Sequence, residues 1–250
     1  SEKLLQASGI HVCTVDLSQI FGVANKFADN DPKVTRKLEE INAYVPTDGV
    51  PAPAVIKMAK LGIALDDWTA ENEIDATAFQ CWDSIQQNYG CNSCALMSMM
   101  GNNLMPSACE VDVAGAAAMY ALQLASGTPS ALVDWNNNYG DDPDKGVVFH
   151  CSNLPKSCFQ AHRMDYQEII AGSVGAENTW GTVYGRVKAE PFTYLRISTN
   201  DFEGKITAYV GEGTFTDVSA EAGVQVRNPA TGVPVAKPLG VSPVDLNADG

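Results

Sequence analysis

Basic residues are scarce in this chain. Lysine and arginine number 16 against 30 aspartates and glutamates, giving a formal net charge of −14. Nucleic-acid recognition relies on basic patches that neutralise phosphates, so no nucleic-acid partner is expected. An anionic membrane surface is disfavoured on the same ground. Long apolar runs are also missing. Apolar residues make up 45% of the 250 positions, yet no run approaches the roughly 20 residues that span a bilayer. The opening Ser1-Glu2-Lys3-Leu4-Leu5 has none of the architecture of a signal peptide. Histidine occurs three times, as His11, His150 and His162, and no internal repeat is visible. What remains is a soluble, globular chain, long enough for one large domain or two modest ones.

A second CxxC pair is lacking too. The seven cysteines are Cys13, Cys81, Cys91, Cys94, Cys109, Cys151 and Cys158. An odd number, in a chain too large to need stapling, points to free thiols and a cytoplasmic setting. Cys91-Asn92-Ser93-Cys94 stands alone, without the second pair or the finger-spaced histidines that a zinc site would want. It opens a methionine-rich stretch, Ala95 to Met100, that reads as core, so both thiols are expected to act as small buried hydrophobes. A thiol-redox module built on Cys91 and Cys94 is the weaker reading.

Up to about residue 140 the pattern alternates between strand and helix. Ile10 to Asp16 reads as a strand, followed by helical sequence through Phe27. Asp31-Pro32 caps a helix reaching Ala43, with proline at a permitted early position. Val45 to Pro53 is a connection, Ala54 to Leu65 is helical, and Trp68 to Tyr89 reads as a long acidic amphipathic segment. This is α/β patterning with an expected parallel sheet. Beyond Asp141-Asp142-Pro143-Asp144 the character turns all-β. Val147 to Cys151, Thr182 to Lys188, Phe192 to Ser198 and Ile206 to Val210 read as short strands, with a tight turn at Asp201-Phe202-Glu203-Gly204. A barrel or a sandwich is the expected arrangement. The division is 1–140, 141–217, and a Pro/Gly-rich tail at 218–250. The tail closes with Asp245-Leu246-Asn247-Ala248-Asp249-Gly250, half of a calcium loop without its bidentate glutamate, and reads as an ordinary turn-rich terminus.

The most informative stretch brackets an almost purely apolar helix, Val113 to Ala125, between two apolar segments that carry carboxylates. On one side runs Pro106-Ser107-Ala108-Cys109-Glu110-Val111-Asp112. On the other runs Ser130-Ala131-Leu132-Val133-Asp134, continuing into Trp135-Asn136-Asn137-Asn138-Tyr139. His150 follows in Val147-Val148-Phe149-His150-Cys151. Two carboxylates and an imidazole at strand ends make a hard divalent-metal site. Glu110 and Asp112 stand at i and i+2, so on a strand they would share a face, and either could be the ligand. The amides Asn136 and Asn137, with the Trp135 ring, could take sugar hydroxyls and the C–H face of a sugar. Read blandly, Asp134 ends a strand with turn chemistry and His150 is a satisfied core histidine.

Phe79-Gln80-Cys81-Trp82, Met105 to Asp112, Ala131 to Asn137 and Phe149 to Asn153 together resemble the L-fucose isomerase and L-arabinose isomerase superfamily. The resemblance runs from about Leu4 to about Thr216 and is specific over 79–153. It implies a Rossmann-like α/β domain followed by an antiparallel β-barrel-like domain. It also implies Mn²⁺ or another hard divalent ion, a small sugar as substrate, and a homo-oligomer, trimeric or hexameric. By the same resemblance Glu110 is the first metal-ligand carboxylate and a proton shuttle, and Asp134 is the second. His150 stands where one branch supplies a histidine ligand, and Gln80 and Trp82 lie in a substrate-contacting stretch. The family's leading domain and its late histidine have no counterpart here, so the chain is expected to be a fragment or a shortened relative. The expected function is a metal-dependent aldose–ketose isomerase. The rival is a non-catalytic carbohydrate-binding or assembly fragment.

Overall fold

A computed structural model of the chain describes residues 2–139, 142–151, 153–217 and 242–245, apart from the side chains of 136–138, 142, 143 and 242–245. The first half is helical. α1 (Glu2–Ala7) leads into an irregular segment, α2 (Leu17–Ala24), α3 (Pro32–Tyr44) and the long α4 (Ala52–Glu71). Each start follows from local chemistry. The Asp16 side chain accepts from Ser18 N–H at 2.8 Å, and Asp31 accepts from Lys33 N–H at 2.8 Å. These are N-caps that satisfy otherwise orphaned donors. α2 and α3 both pack against α4. Gly62 permits the close approach of α3, because a Cβ there would lie 2.8 Å from Lys37 Cε and 2.8 Å from Leu96 Cδ2. Lys37 is buried across this seam, and its Nζ reaches Asp66 at 2.6 Å and Glu40 at 2.9 Å. Burial opposes its charge, but the two carboxylates outweigh burial and raise its pKa.

The middle of the chain holds the α/β portion. β1 (Thr77–Phe79) pairs in parallel with β2 (Ser107–Cys109), Phe79 opposite Cys109. Between them come α5 (Ser84–Asn88) and α6 (Cys94–Asn102), the latter buried along most of its length. α7 (Val113–Ser126) follows β2 and packs on both strands. It ends at Gly127, whose φ of 68° is the left-handed turn that glycine adopts freely.

The second half is mostly β, with one short helix. β3 (Asp134–Tyr139), β4 (Asp142–Phe149), β7 (Pro191–Asn200), β8 (Lys205–Phe215) and β9 (Ser242–Asp245) form one antiparallel sheet in the order β3-β4-β9-β8-β7. β5 (Phe159–Tyr166) and β6 (Trp180–Val187) make a separate antiparallel ribbon, and α8 (Glu168–Val174) lies between them in sequence. The ribbon backs onto α4 and α6. A single apolar cluster therefore runs from Ile20 and Phe21 through Met58, Ile85 and Met97 to Met164 and Val183.

Several expectations need correction. Ile10 to Asp16 forms no strand, because its residues find no pairing partner and most remain exposed or half-exposed. Trp68 to Tyr89 is not one helix. α4 stops at Glu71, where Asn72 Nδ2 caps the Trp68 carbonyl at 2.8 Å, and β1 and α5 occupy the rest. The parallel pairing is confined to the three-residue pair β1–β2. No closed barrel is found among the described residues. The five-stranded sheet curls until Trp135 on β3 meets Tyr194 on β7 edge to face at 5.7 Å, but no backbone ladder joins those two strands. The tail contributes a strand, β9, at its described residues, and most of the calcium-like hexapeptide lies outside the described residues.

Candidate functional site: carboxylates and an imidazole above a thiol cluster

β2 ends at Cys109, and the chain turns at once. Glu110 and Val111 both take positive φ, 62° and 58°. Side chains seldom tolerate that region, and each such residue costs on the order of 1–3 kcal/mol. The turn exposes the Glu110 side chain and hands the chain to Asp112, which caps α7. Glu110 and Asp112 therefore do not share a strand face. Asp112 Oδ1 accepts from Gly115 N–H at 2.8 Å, and Oδ2 takes Arg196 Nη1 at 2.8 Å. The structure gives Asp112 a structural post that ties α7 to β7. Asp112→Ala is expected to cost about 1–2 kcal/mol, as for a lost N-cap. Asp112→Asn keeps an acceptor for Gly115 N–H and should cost less, and urea denaturation of the two variants tests the order.

Asp134 opens β3, opposite Phe149, and is exposed. It starts a hairpin strand rather than ending a buried one, because 127–133 is irregular. His150 follows the end of β4 and is 2% exposed. Thus Glu110, Asp134 and His150 leave β2, β3 and β4 at neighbouring strand ends. The three sense one another electrostatically. Burial opposes the His150 imidazolium, but the Cys151 sulfur beside it, then Asp134 and Glu110, outweigh burial and raise its pKa to about 9. Glu110 is raised first by burial, with His150 opposing and Cys151, Asp134 and Asp112 adding to the rise.

Gln80 lies exposed just past β1, alongside Glu110 through the Phe79–Cys109 register. Trp82 is half-buried and packs on the core. Trp135 is 53% exposed beside Tyr194, which also meets Tyr209 at 6.2 Å. Asn136 and Asn137 lie on β3, with side chains outside the described residues. His11 is exposed, and His162 Nε2 sits 3.0 Å from the Tyr44 carbonyl, a structural contact.

Beneath this surface lies a feature that the sequence did not announce. Cys81, Cys109 and Cys151 have sulfurs within 4.8 Å of one another, all buried. Among the described residues, Glu110, Asp134 and His150 do not close to that spacing. Cys109 Sγ is 3.7 Å from Cys151 Sγ, and His150 Nδ1 is 3.4 Å from the same sulfur. The Cys94 thiol interacts electrostatically with Cys151 and is raised well above the ordinary thiol range. Thiol donation from Cys109, Cys81 and Cys94 holds Cys151 well below the ordinary thiol range, against burial. Cys109 is driven the other way. All seven cysteines are free. Cys91 points elsewhere, and burial pushes its thiol up to about 12. The pairing that matters is therefore not Cys91 with Cys94. The missed signal was adjacency: Cys109 precedes Glu110 and Cys151 follows His150, so the thiols lie beside the candidate ligands in sequence.

Parts of the chain are similar in sequence to sugar isomerases. The family model described as L-fucose isomerase, C-terminal domain, matches residues 148–228. A sulfoquinovose isomerase of Clostridium sp. (strain MSTE9) is 29% identical over 132 residues, covering 53% of this chain and 29% of that protein. Sulfoquinovose isomerases of Alkalicoccus urumqiensis and Priestia aryabhattai are 28% and 27% identical over 150 and 154 residues, each match covering 60% of this chain and 33% of the relative. The chain thus spans about a third of the length of the curated relatives it matches. Over these residues the chain is similar to the L-fucose isomerase C-terminal domain and to sulfoquinovose isomerases. Among the described residues, no helix is long and apolar enough to cross a membrane.

Proposed function

We propose that this chain carries part of the active site of a metal-dependent aldose–ketose isomerase working through a cis-enediol. The observation that carries the reading is the meeting of Glu110, Asp134 and His150 at three adjacent strand ends, close enough for each carboxylate to perturb the imidazole. The donor set suits the group. Two carboxylates and one imidazole nitrogen favour Mn²⁺, Mg²⁺ or Co²⁺ over softer ions. Bound there by Glu110, Asp134 and His150, such an ion would act as a Lewis acid toward the sugar's O1 and O2.

The chain's own residues supply the remainder. Glu110 holds a carboxylate at an exposed turn, its pKa raised by burial and nearby like charges, and in this reading it carries the proton between C1 and C2. Asp134 places a second carboxylate at the mouth of the site. The Trp135 ring and Gln80 are exposed, and in this reading the ring takes a sugar's C–H surface and the amide its hydroxyls. Trp82 supports that edge from the core, and Asn136 and Asn137 on β3 would add amide donors. In this reading residues 1–140 correspond to a Rossmann-like unit and 141–217 to the family's barrel-like unit, with 218–250 as a tail. A cytoplasmic homo-oligomer, trimeric or hexameric, is the expected assembly.

The test has two arms on the same protein. Mn²⁺ binding is followed by calorimetry, and ketose formation is followed with sulfoquinovose, L-fucose and L-arabinose. Saturable Mn²⁺ binding with ketose formation from one of these aldoses supports the reading. Sugar binding without turnover, under saturating Mn²⁺, would transfer the chain to the alternative of a carbohydrate-binding or assembly fragment.

A further inference from the structure

We propose that Cys81, Cys94, Cys109 and Cys151 form a second, buried metal site that takes a soft tetrahedral ion of the Zn²⁺ class. The inference stands on the thiols alone and does not need the isomerase reading. These four come from four places in the fold: the turn after β1, the first residue of α6, the last residue of β2, and the turn after β4. Three of their sulfurs lie within 4.8 Å of one another, and the fourth thiol, on Cys94, is buried and interacts electrostatically with Cys151 and Cys81. All four are buried, at 3%, 3%, 0% and 5% exposure.

Geometry and chemistry favour an ion over simple packing. A tetrahedral Zn–S bond of about 2.3 Å puts neighbouring sulfurs about 3.8 Å apart. Cys109 and Cys151 stand 3.7 Å apart. Thiolates select Zn²⁺-class ions, whereas the carboxylate–imidazole surface selects hard ones, so the two sites sort their metals by ligand softness. A disulfide accounts for the cluster less well. Three thiols converge on Cys151, and any single bridge would leave two buried sulfurs facing it.

The surroundings are also those of a metal site. Gln86 Nε2 holds the Cys81 carbonyl at 2.8 Å, and Gln167 Nε2 holds the Cys151 carbonyl at 2.9 Å. His150 Nδ1, 3.4 Å from the Cys151 sulfur, can donate its N–H there. That fixes the tautomer and leaves Nε2 with a lone pair, as outer partners of metal ligands commonly do. The sulfur site would thereby orient the imidazole that the surface site uses.

The experiment loads the full chain, stripped with chelator under reducing conditions, with Co²⁺ as a spectroscopic probe. Thiolate-to-cobalt charge transfer and strong tetrahedral d–d bands are expected, saturating at one equivalent and abolished by Zn²⁺. Alkylation followed by peptide mass spectrometry should show Cys81, Cys94, Cys109 and Cys151 protected at least tenfold by Zn²⁺, with Cys13 and Cys158 unaffected. Cys81→Ser and Cys109→Ser should lose the charge-transfer band, and Glu110→Gln should keep it. If those cysteine variants fail to fold, the wild-type spectrum decides alone. A cobalt spectrum without thiolate charge transfer, or equal alkylation rates with and without Zn²⁺, overturns the site.

Discussion

Glu110→Gln is expected to cut ketose formation by about 10²–10⁴-fold, the usual contribution of a positioned general acid or base. The amide keeps the size and shape of the side chain and loses only the negative charge and the basic oxygen. The change should not disturb the turn, since glutamine meets the same backbone constraint at φ 62° as glutamate does. Stability is therefore expected to move by no more than about 0.5 kcal/mol, the range for an exposed position. Mn²⁺ affinity should fall alongside turnover, because one ligand oxygen is exchanged for a neutral one. Asp134→Asn should weaken Mn²⁺ while sparing the fold, since Asp134 is exposed at the first position of β3. Calorimetric Mn²⁺ titration and initial-rate assays of both variants carry the test. If both bind Mn²⁺ as the wild type does and turn over normally, the assignment of these two carboxylates is wrong.

The sequence was most legible where local chemistry decides structure. The cap at Asp31, the apolar run of α7 and the Asp201–Gly204 turn of the β7–β8 hairpin all sit where short-range rules put them. It was least legible where a partner distant in sequence decides. Ile10 to Asp16 has strand-like alternation, but nothing pairs with it. Thr77–Phe79 is a strand only because Ser107–Cys109 lies beside it, 30 residues later in register. Glu110 and Asp112 looked equivalent at i and i+2 until the left-handed pair Glu110-Val111 separated them, one to the surface and one to a helix cap. The thiol cluster failed for the same reason. The CxxC rule counts neighbours along the chain, whereas Cys81, Cys109 and Cys151 meet only through the β1–β2 pairing and the turn after β4.

Two glycines to alanine should shift stability in opposite directions. Gly181, the second residue of β6, has φ +118°, and a Cβ there would sit 2.8 Å from the Asn92 carbonyl oxygen and 2.8 Å from Met58 Cε. The methionine end can move, but the Asn92 carbonyl cannot yield cheaply. Its residue is pinned by Asn92 N–H to the Trp180 carbonyl at 2.8 Å and by Asn92 Nδ2 to Thr182 Oγ1 at 2.9 Å. Backbone strain costs about 1–3 kcal/mol and overpacking a similar amount, so Gly181→Ala should lose about 2–6 kcal/mol. For a chain of this size that lowers Tm by on the order of 10 °C. The damage should reach the thiols, since Asn92 lies two residues before Cys94 and anchors the entry to α6. Gly22, inside α2, is exposed, and nothing lies within 4 Å of where its Cβ would go. There alanine only reduces the freedom of the unfolded chain and should add about 0.5–1 kcal/mol. Thermal denaturation of both variants gives the answer, and a Gly181→Ala protein as stable as the wild type would mean that β6 and the start of α6 are not packed as described.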